Sequence, residues 1–390
     1  MGTRALAAAM LLLSFSGCSL APRVPAPEDV VWMDEAFEYD AALVSVSAAS
    51  LFALDDSQVR SLRSTPAATE GGPSGRRAYL LGLLFGSDMK AFAYAGGHST
   101  VAAETWRNQR GDCLSLSVLS VALARMLNLQ AEFQEVPVPV SFDRRGNVDF
   151  LNAHVNVLLR NDQPLQLSGP WLAAGAVVID FEPSIGSRRI GTPLSDSAVL
   201  ARFLNNVASE RLAQRNHREA YAHYKAAIIA EPTYSASYNN LAQLYLIAGN
   251  TDGAEALLRR ALSLNAANDL ALDTLHRLLL SQDRIAEAHV YEQRLLERRD
   301  RDPYYWLGLG LERMRQAQYA EAVEALERAQ GLTNGFGEVH RNLAIAYWYS
   351  GQRHKARDQL ALLDALDPGD AGTTQLRRKF NQTAYTPQPR

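Results

Sequence analysis

Two cysteines, Cys18 and Cys113, stand in a chain of 390 residues. That is too few for a disulfide framework, so each needs an explanation of its own. Cys113 follows Arg110-Gly111-Asp112 and precedes a run of Leu, Val, Ala and Ser that ends near Leu127. Asp112 is a favoured N-cap type, which puts Cys113 in the first turn of a helix. Unpaired backbone N–H groups and the positive end of the helix dipole favour thiolate over thiol there. The helix is apolar on nearly every side, so it is expected inside a core. A free cysteine in such a place also serves well as a small buried hydrophobe.

Two later segments supply partners for a nucleophilic sulfur. Ala153, Val155, Val157 and Leu159 alternate with Asn152, His154, Asn156 and Leu158, which reads as a strand with His154 on its more polar face. Val177, Ile179 and Phe181 alternate with Val178, Asp180 and Glu182, which sets Asp180 opposite the apolar face of a second strand. The order is therefore helix-start cysteine, strand histidine, strand aspartate: nucleophile, base and orienter. His154 would take the thiol proton and return it to the leaving group, while Asp180 holds the imidazole. The Cys113 N–H is a candidate oxyanion donor, to which Gln109 or Asn108 would add a side-chain donor. His98 competes as base and Glu182 as orienter; His98 sits in a turn-like Gly96-Gly97-His98 segment.

The elements that must position these residues are an early helix across 78–84, another across 100–109, the Cys113 helix and the two strands. The run Arg110-Gly111-Asp112-Cys113-Leu114-Ser115-Leu116-Ser117, the helix end Ala124-Arg125-Met126-Leu127-Asn128-Leu129, the strand with His154, and Ile179-Asp180-Phe181-Glu182-Pro183 together resemble the bacterial transglutaminase-like superfamily. The resemblance covers roughly 78–190 and is greatest to the branch in which this domain precedes helical repeats. It implies an α+β papain-like fold, no metal or other cofactor, and acyl chemistry at a thiol: hydrolysis of a peptide or amide, or transfer of a glutamine acyl group to an amine. Some members of that branch serve as non-enzymatic parts.

From about residue 199 the chain repeats every 34 residues: Ala220, Ala254, Ala288, Ala322 and Ala356 are in register, with Leu241, Leu275, Leu309 and Leu343. Small residues at that spacing let paired antiparallel helices approach, and stacking of neighbours completes a core that one unit cannot bury. The pattern resembles tetratricopeptide repeats, in units 201–234, 235–268, 269–302, 303–336 and 337–370, the third of them degenerate at Leu295. The resemblance implies a solenoid with a concave groove for a protein or peptide, and Asn205, Asn239, Arg341 and Trp348 are candidates to line it.

Cys18 closes a positively charged and then apolar N-terminal stretch, and Pro22, Pro25 and Pro27 follow it. Phe15-Ser16-Gly17-Cys18 resembles a bacterial lipoprotein signal. That implies a diacylglyceryl, N-acylated Cys18 as the first mature residue. With Ser19 rather than Asp behind it, the expected address is the outer membrane facing the periplasm. The expected organisation is a signal over 1–17, a linker over 18–30, a thiol domain over 31–198, five repeats over 199–371, and a capping helix with a tail over 372–390.

The composition narrows the partners. A formal net charge of −3 and a pI near 6.3 leave no basic footprint for nucleic acid. There is no Gly-rich phosphate loop, so no nucleotide is implied, and the eight histidines are scattered without metal-ligand spacing. The favoured expectation is a lipid-anchored cell-envelope thiol hydrolase whose repeats recruit a protein or peptide. The alternatives are a non-catalytic envelope scaffold acting through its repeats and a true acyltransferase.

Overall fold

The structure is a computed structural model that describes residues 30–66, 72–86, 92–95, 98–136, 142–145, 148–151, 154–160, 172–173, 176–181, 191–332, 337–366 and 370–383. The signal segment, Cys18 and the Pro-rich linker lie outside the described residues. In chain order the helices are α1 (Ala48–Leu51), α2 (Asp56–Arg63), α3 (Pro73–Phe85), α4 (Ala102–Asn108) and α5 (Cys113–Met126). The strands are β1 (Ala93–Tyr94), β2 (Arg110–Gly111), β3 (Ala131–Val136), β4 (Phe142–Arg145), β5 (Val148–Leu151), β6 (His154–Arg160), β7 (Leu172–Ala173), β8 (Ala176–Ile179) and β9 (Thr192–Leu194).

Five strands form one sheet in the order β7-β8-β6-β3-β9, antiparallel at every pairing. Helix α5 lies on it, and every residue from Leu114 to Ala124 is buried. Such a helix needs cover on all sides. The sheet supplies Phe133, Val155, Val157 and Ile179 to the shared core, while α3 supplies Leu80 and Leu84. The same core takes in Val199, Phe203 and Leu204 of the next helix, α6 (Asp196–Ala213). That helix therefore closes the α/β layer and begins the helical array at once.

The array continues as α7 (His217–Ala230), α8 (Ser235–Ile247), α9 (Thr251–Leu264), α10 (Asp269–Ser281), α11 (Ile285–Arg301), α12 (Pro303–Arg315), α13 (Tyr319–Gly331), α14 (Gly337–Tyr349), α15 (Arg353–Leu366) and α16 (Ala371–Thr383). It is a helical solenoid of antiparallel pairs. All five in-register alanines, Ala220 to Ala356, are completely buried, as small residues at a close helix crossing must be. Gly310 shows how tight the crossing is: a Cβ there would sit 2.5 Å from Leu326 Cγ.

One turn recurs with the same period. Arg215, Gly249, Asp283, Ala317 and Gly351, each 34 residues apart, all have left-handed backbone, with φ between 58° and 86°. The left-handed residue lets the chain reverse between the two helices of a unit. Glycine adopts it freely, whereas an L side chain costs about 1–2 kcal/mol.

Candidate functional site

The helix-start cysteine is held by a local network. Asp112 caps α5 by accepting from the Ser115 backbone N–H at 2.7 Å, as its residue type predicts. Its other carboxylate oxygen accepts from the Ser99 hydroxyl at 2.6 Å. Thr100 N–H donates to Ser115 Oγ at 2.8 Å, so the 98–100 loop wraps the start of the helix. Gly111 is needed for that closeness, because a Cβ there would meet Ser115 Cβ at 2.8 Å. Cys113 itself is half-buried.

This network reaches into the helical array. Glu210 on α6, buried, accepts from the Ser99 N–H at 2.9 Å and pairs with His98 Nδ1 at 2.5 Å. Asn206 donates to Ser99 Oγ at 3.1 Å. His98 is thus tied to α6, which fits the structural role of a turn residue. Gln109, offered above as an oxyanion donor, spends its amide on the Trp106 carbonyl at 2.8 Å. Its own backbone is left-handed at φ 52°, where α4 turns into β2.

The strand that begins at His154 and the strand that precedes Asp180 are neighbours in the sheet. His154 is the first residue of β6, paired with Val136 of β3; its side chain lies outside the described residues, as does Glu182. Ser117, one turn beyond Cys113, donates to the Val155 carbonyl at 3.1 Å. The first turns of α5 and the first residues of β6 are therefore neighbours. Asp180 follows β8 directly and is 2% exposed. Asn156, also buried, donates to its carboxylate at 3.1 Å. The register sets this meeting: Val157 faces Ile179, so the next pair outward is Asn156 with Asp180. A carboxyl group so buried needs hydrogen-bond partners, and Asn156 supplies one. Nothing in the alternating pattern marks Asn156 apart from being polar among Val and Leu.

The proposed lining of the repeat groove is largely covered. Asn205 and Asn239 are buried and joined through Asn240, which donates to Asn205 Oδ1 at 3.1 Å and accepts from Asn239 at 3.0 Å. Trp348 stacks on Phe380 of α16 with ring centroids 4.3 Å apart, and Arg341 pairs with Asp370. A cavity of about 480 Å³ does open between the sheet edge and the array. Glu135, Pro193, Arg202, Tyr234, Ser235 and Asn268 are among its walls. Arg202 bonds Glu135 at 2.6 Å and lies over the Tyr234 ring at 4.3 Å. Burial pushes the Tyr234 hydroxyl up to about 12, although Arg202 pulls the other way. The walls thus offer a cation, an anion, amides and an aromatic face.

Among the described residues no group of three His, Cys, Asp or Glu could hold a metal ion, and no helix is long and apolar enough to cross a membrane. A family model for the tetratricopeptide repeat matches residues 211–266, which span α7, α8 and α9. No curated protein matches the chain. Among solved structures, YrrB, described as a tetratricopeptide-repeat protein with an unusual peptide-binding site, is 18% identical. It covers 46% of this chain and 92% of its own, with a TM-score of 0.25. PilF of Pseudomonas aeruginosa is 19% identical over 49% of this chain and 86% of its own, TM-score 0.26. MamA of Desulfovibrio magneticus RS-1 is 16% identical over 44% and 97%, TM-score 0.24. The repeat assignment rests on the family match and the shared 34-residue register: this chain carries tetratricopeptide repeats, matched over 211–266.

Proposed function

We propose that the chain is a scaffold of the cell envelope that binds a protein or peptide through its repeats. The single observation that carries this reading is the cavity of about 480 Å³, lined by both polar and apolar residues, where the first repeats meet the sheet edge. An extended peptide entering it would find the Glu231 carboxylate for a basic side chain, the exposed Asn265 amide for its main chain and the Tyr234 ring for an apolar side chain. Site-specific photocrosslinking tests it. A crosslinker at Thr233, on the cavity wall, should give a discrete adduct that one at Val290, exposed on α11, does not. No adduct from Thr233, or the same adduct from both positions, refutes the reading.

The lipid anchor belongs to this proposal. Cys18 would carry the acyl chains and hold the protein at the outer membrane, facing the periplasm. Several chains are needed, because one gives only marginal, reversible anchoring. Cys18→Ser should release the protein from membranes or block its processing. Unchanged membrane association would count against lipidation.

One observation favours a second reading, the transglutaminase-like thiol domain with Cys113, His154 and Asp180. The Ser117–Val155 hydrogen bond sets the start of α5 beside the strand that begins at His154, and Asp180 directly follows the neighbouring strand β8. In this reading Cys113 thiolate attacks a carbonyl carbon, and His154, carrying the thiol proton, gives it to the departing amine. Water then cleaves the thioester and restores the thiol. An amine in place of water would make the product of an acyltransferase. Alkylation decides the matter: an enzyme requires a thiol pKa well below the ordinary value of about 8.5, moved by His154→Ala. A Cys113 that reacts only after unfolding leaves the scaffold alone.

A further inference from the structure

The described chain begins with a segment that belongs, by its contacts, to the repeats. Residues 33–39 form a turn closed by Phe37 N–H to Met33 O at 3.1 Å and Tyr39 N–H to Asp34 O at 2.9 Å. Val30 and Phe37 are buried in the core cluster of the first repeats, with Tyr221, Tyr224 and Tyr245. Phe37 stacks on Tyr221 at 4.7 Å, nearly parallel.

The polar contacts have the form of peptide recognition. Side chains of the array read the main chain: the Tyr221 hydroxyl accepts from Met33 N–H at 2.9 Å, and the Tyr245 hydroxyl donates to the Val31 carbonyl at 2.9 Å. Arg218 donates to the Glu38 carbonyl at 2.9 Å. One acid is read specifically. Lys225 donates to both Asp34 oxygens at 2.7 Å, and Tyr221 adds a third bond at 2.8 Å. The Lys225 ammonium also lies 4.1 Å from the Tyr39 ring centroid and 4.9 Å from that of Trp32. Its side chain is only 11% exposed, so without an acid in place a nearly buried cation would lose its counter-charge.

We infer that the face formed by Tyr221, Lys225 and Tyr245 is a second binding site, for a short peptide turn that carries a carboxylate between aromatic residues. The chain's own residues 30–39 fill it, and a partner segment of the same chemistry competes for it. The site lies at the end of the α7–α8 pair opposite the cavity at Tyr234 and Ser235, and it is independent of both readings of function given above. A strap on the same chain holds a millimolar effective concentration, so it masks the site from dilute peptide. Loosening the strap unmasks it.

The probe is a fluorescent peptide of residues 30–40, titrated by polarisation against the full chain. Asp34→Ala/Phe37→Ala should bind it at least about tenfold more tightly than the unaltered chain, since charge-assisted bonds and a ring stack leave the competitor. Adding Lys225→Ala should abolish that gain. Asp34→Asn alone keeps the Phe37 packing and should still raise affinity over the unaltered chain, which decides the matter if the double variant does not fold. Equal affinity for unaltered and Asp34→Asn chains, or binding that survives Lys225→Ala, overturns the inference.

Discussion

Replacing Asp112 with alanine removes two hydrogen bonds whose partners have nowhere else to turn. The Ser115 N–H loses its cap at 2.7 Å, and the Ser99 hydroxyl loses its acceptor at 2.6 Å. Ser115 is completely buried and Ser99 is 4% exposed, so water does not replace what is lost. A lost N-cap costs about 1 kcal/mol and a buried hydrogen bond about as much again, so the start of α5 should open more easily by about 2 kcal/mol. Asp112→Asn keeps an acceptor for the Ser115 N–H, and its amide can donate to Ser99 Oγ, so it should cost about half as much. Hydrogen exchange of the α5 amides from Leu116 to Leu123 reads this locally, without averaging over the repeats. About 2 kcal/mol corresponds to roughly thirtyfold faster exchange in Asp112→Ala. Equal exchange in the alanine and asparagine variants, or less than about a twofold change in either, would refute the capping argument.

Three further outcomes are expected. Ala317→Gly relieves a left-handed residue in a turn where Gly249 and Gly351 stand in two other units, and should stabilise the array by about 0.5–1 kcal/mol in chemical denaturation. Gly310→Ala drives a methyl against Leu326, 2.5 Å from its Cγ, and should cost about 1–3 kcal/mol; Leu326→Ala in the same chain should recover part of the loss as seen by thermal melting. Burial raises the Glu338 carboxyl from 4.5 to about 7, with Arg341 pulling the other way. Its folded form therefore holds a proton that the unfolded chain has released, and stability falls as pH rises from 4.5 to 7. Glu338→Gln should accordingly stabilise the last repeat by about 1 kcal/mol at pH 8, after discounting for solvent screening, and by nothing below pH 4.5, with denaturation curves at the two pH values as the check.

The parts of this protein that were legible in advance are those set by neighbours in the chain. The helix that begins at Cys113 is announced by Asp112, the strand at His154 by alternation, and the helical array by alanines every 34 residues. Caps, alternation and helical period depend on residues a few positions apart, so residue type and spacing suffice. The groove residues were less legible. Trp348 looks available until Phe380 of the last helix is seen to lie flat on it, because exposure depends on what packs from elsewhere.

Local residue patterns therefore set the inventory of elements and the residues able to do chemistry. Which of those residues meet is settled by packing across the fold. Ser99 meets Glu210 across 111 positions, Asn156 meets Asp180 across 24, and Asp34 meets Lys225 across 191. The physical reason is that such pairs are chosen by the burial of a shared core and by strand register. Once the core has brought two buried polar groups together, each must find a partner or pay the cost of desolvation, and no local pattern encodes which partner that will be.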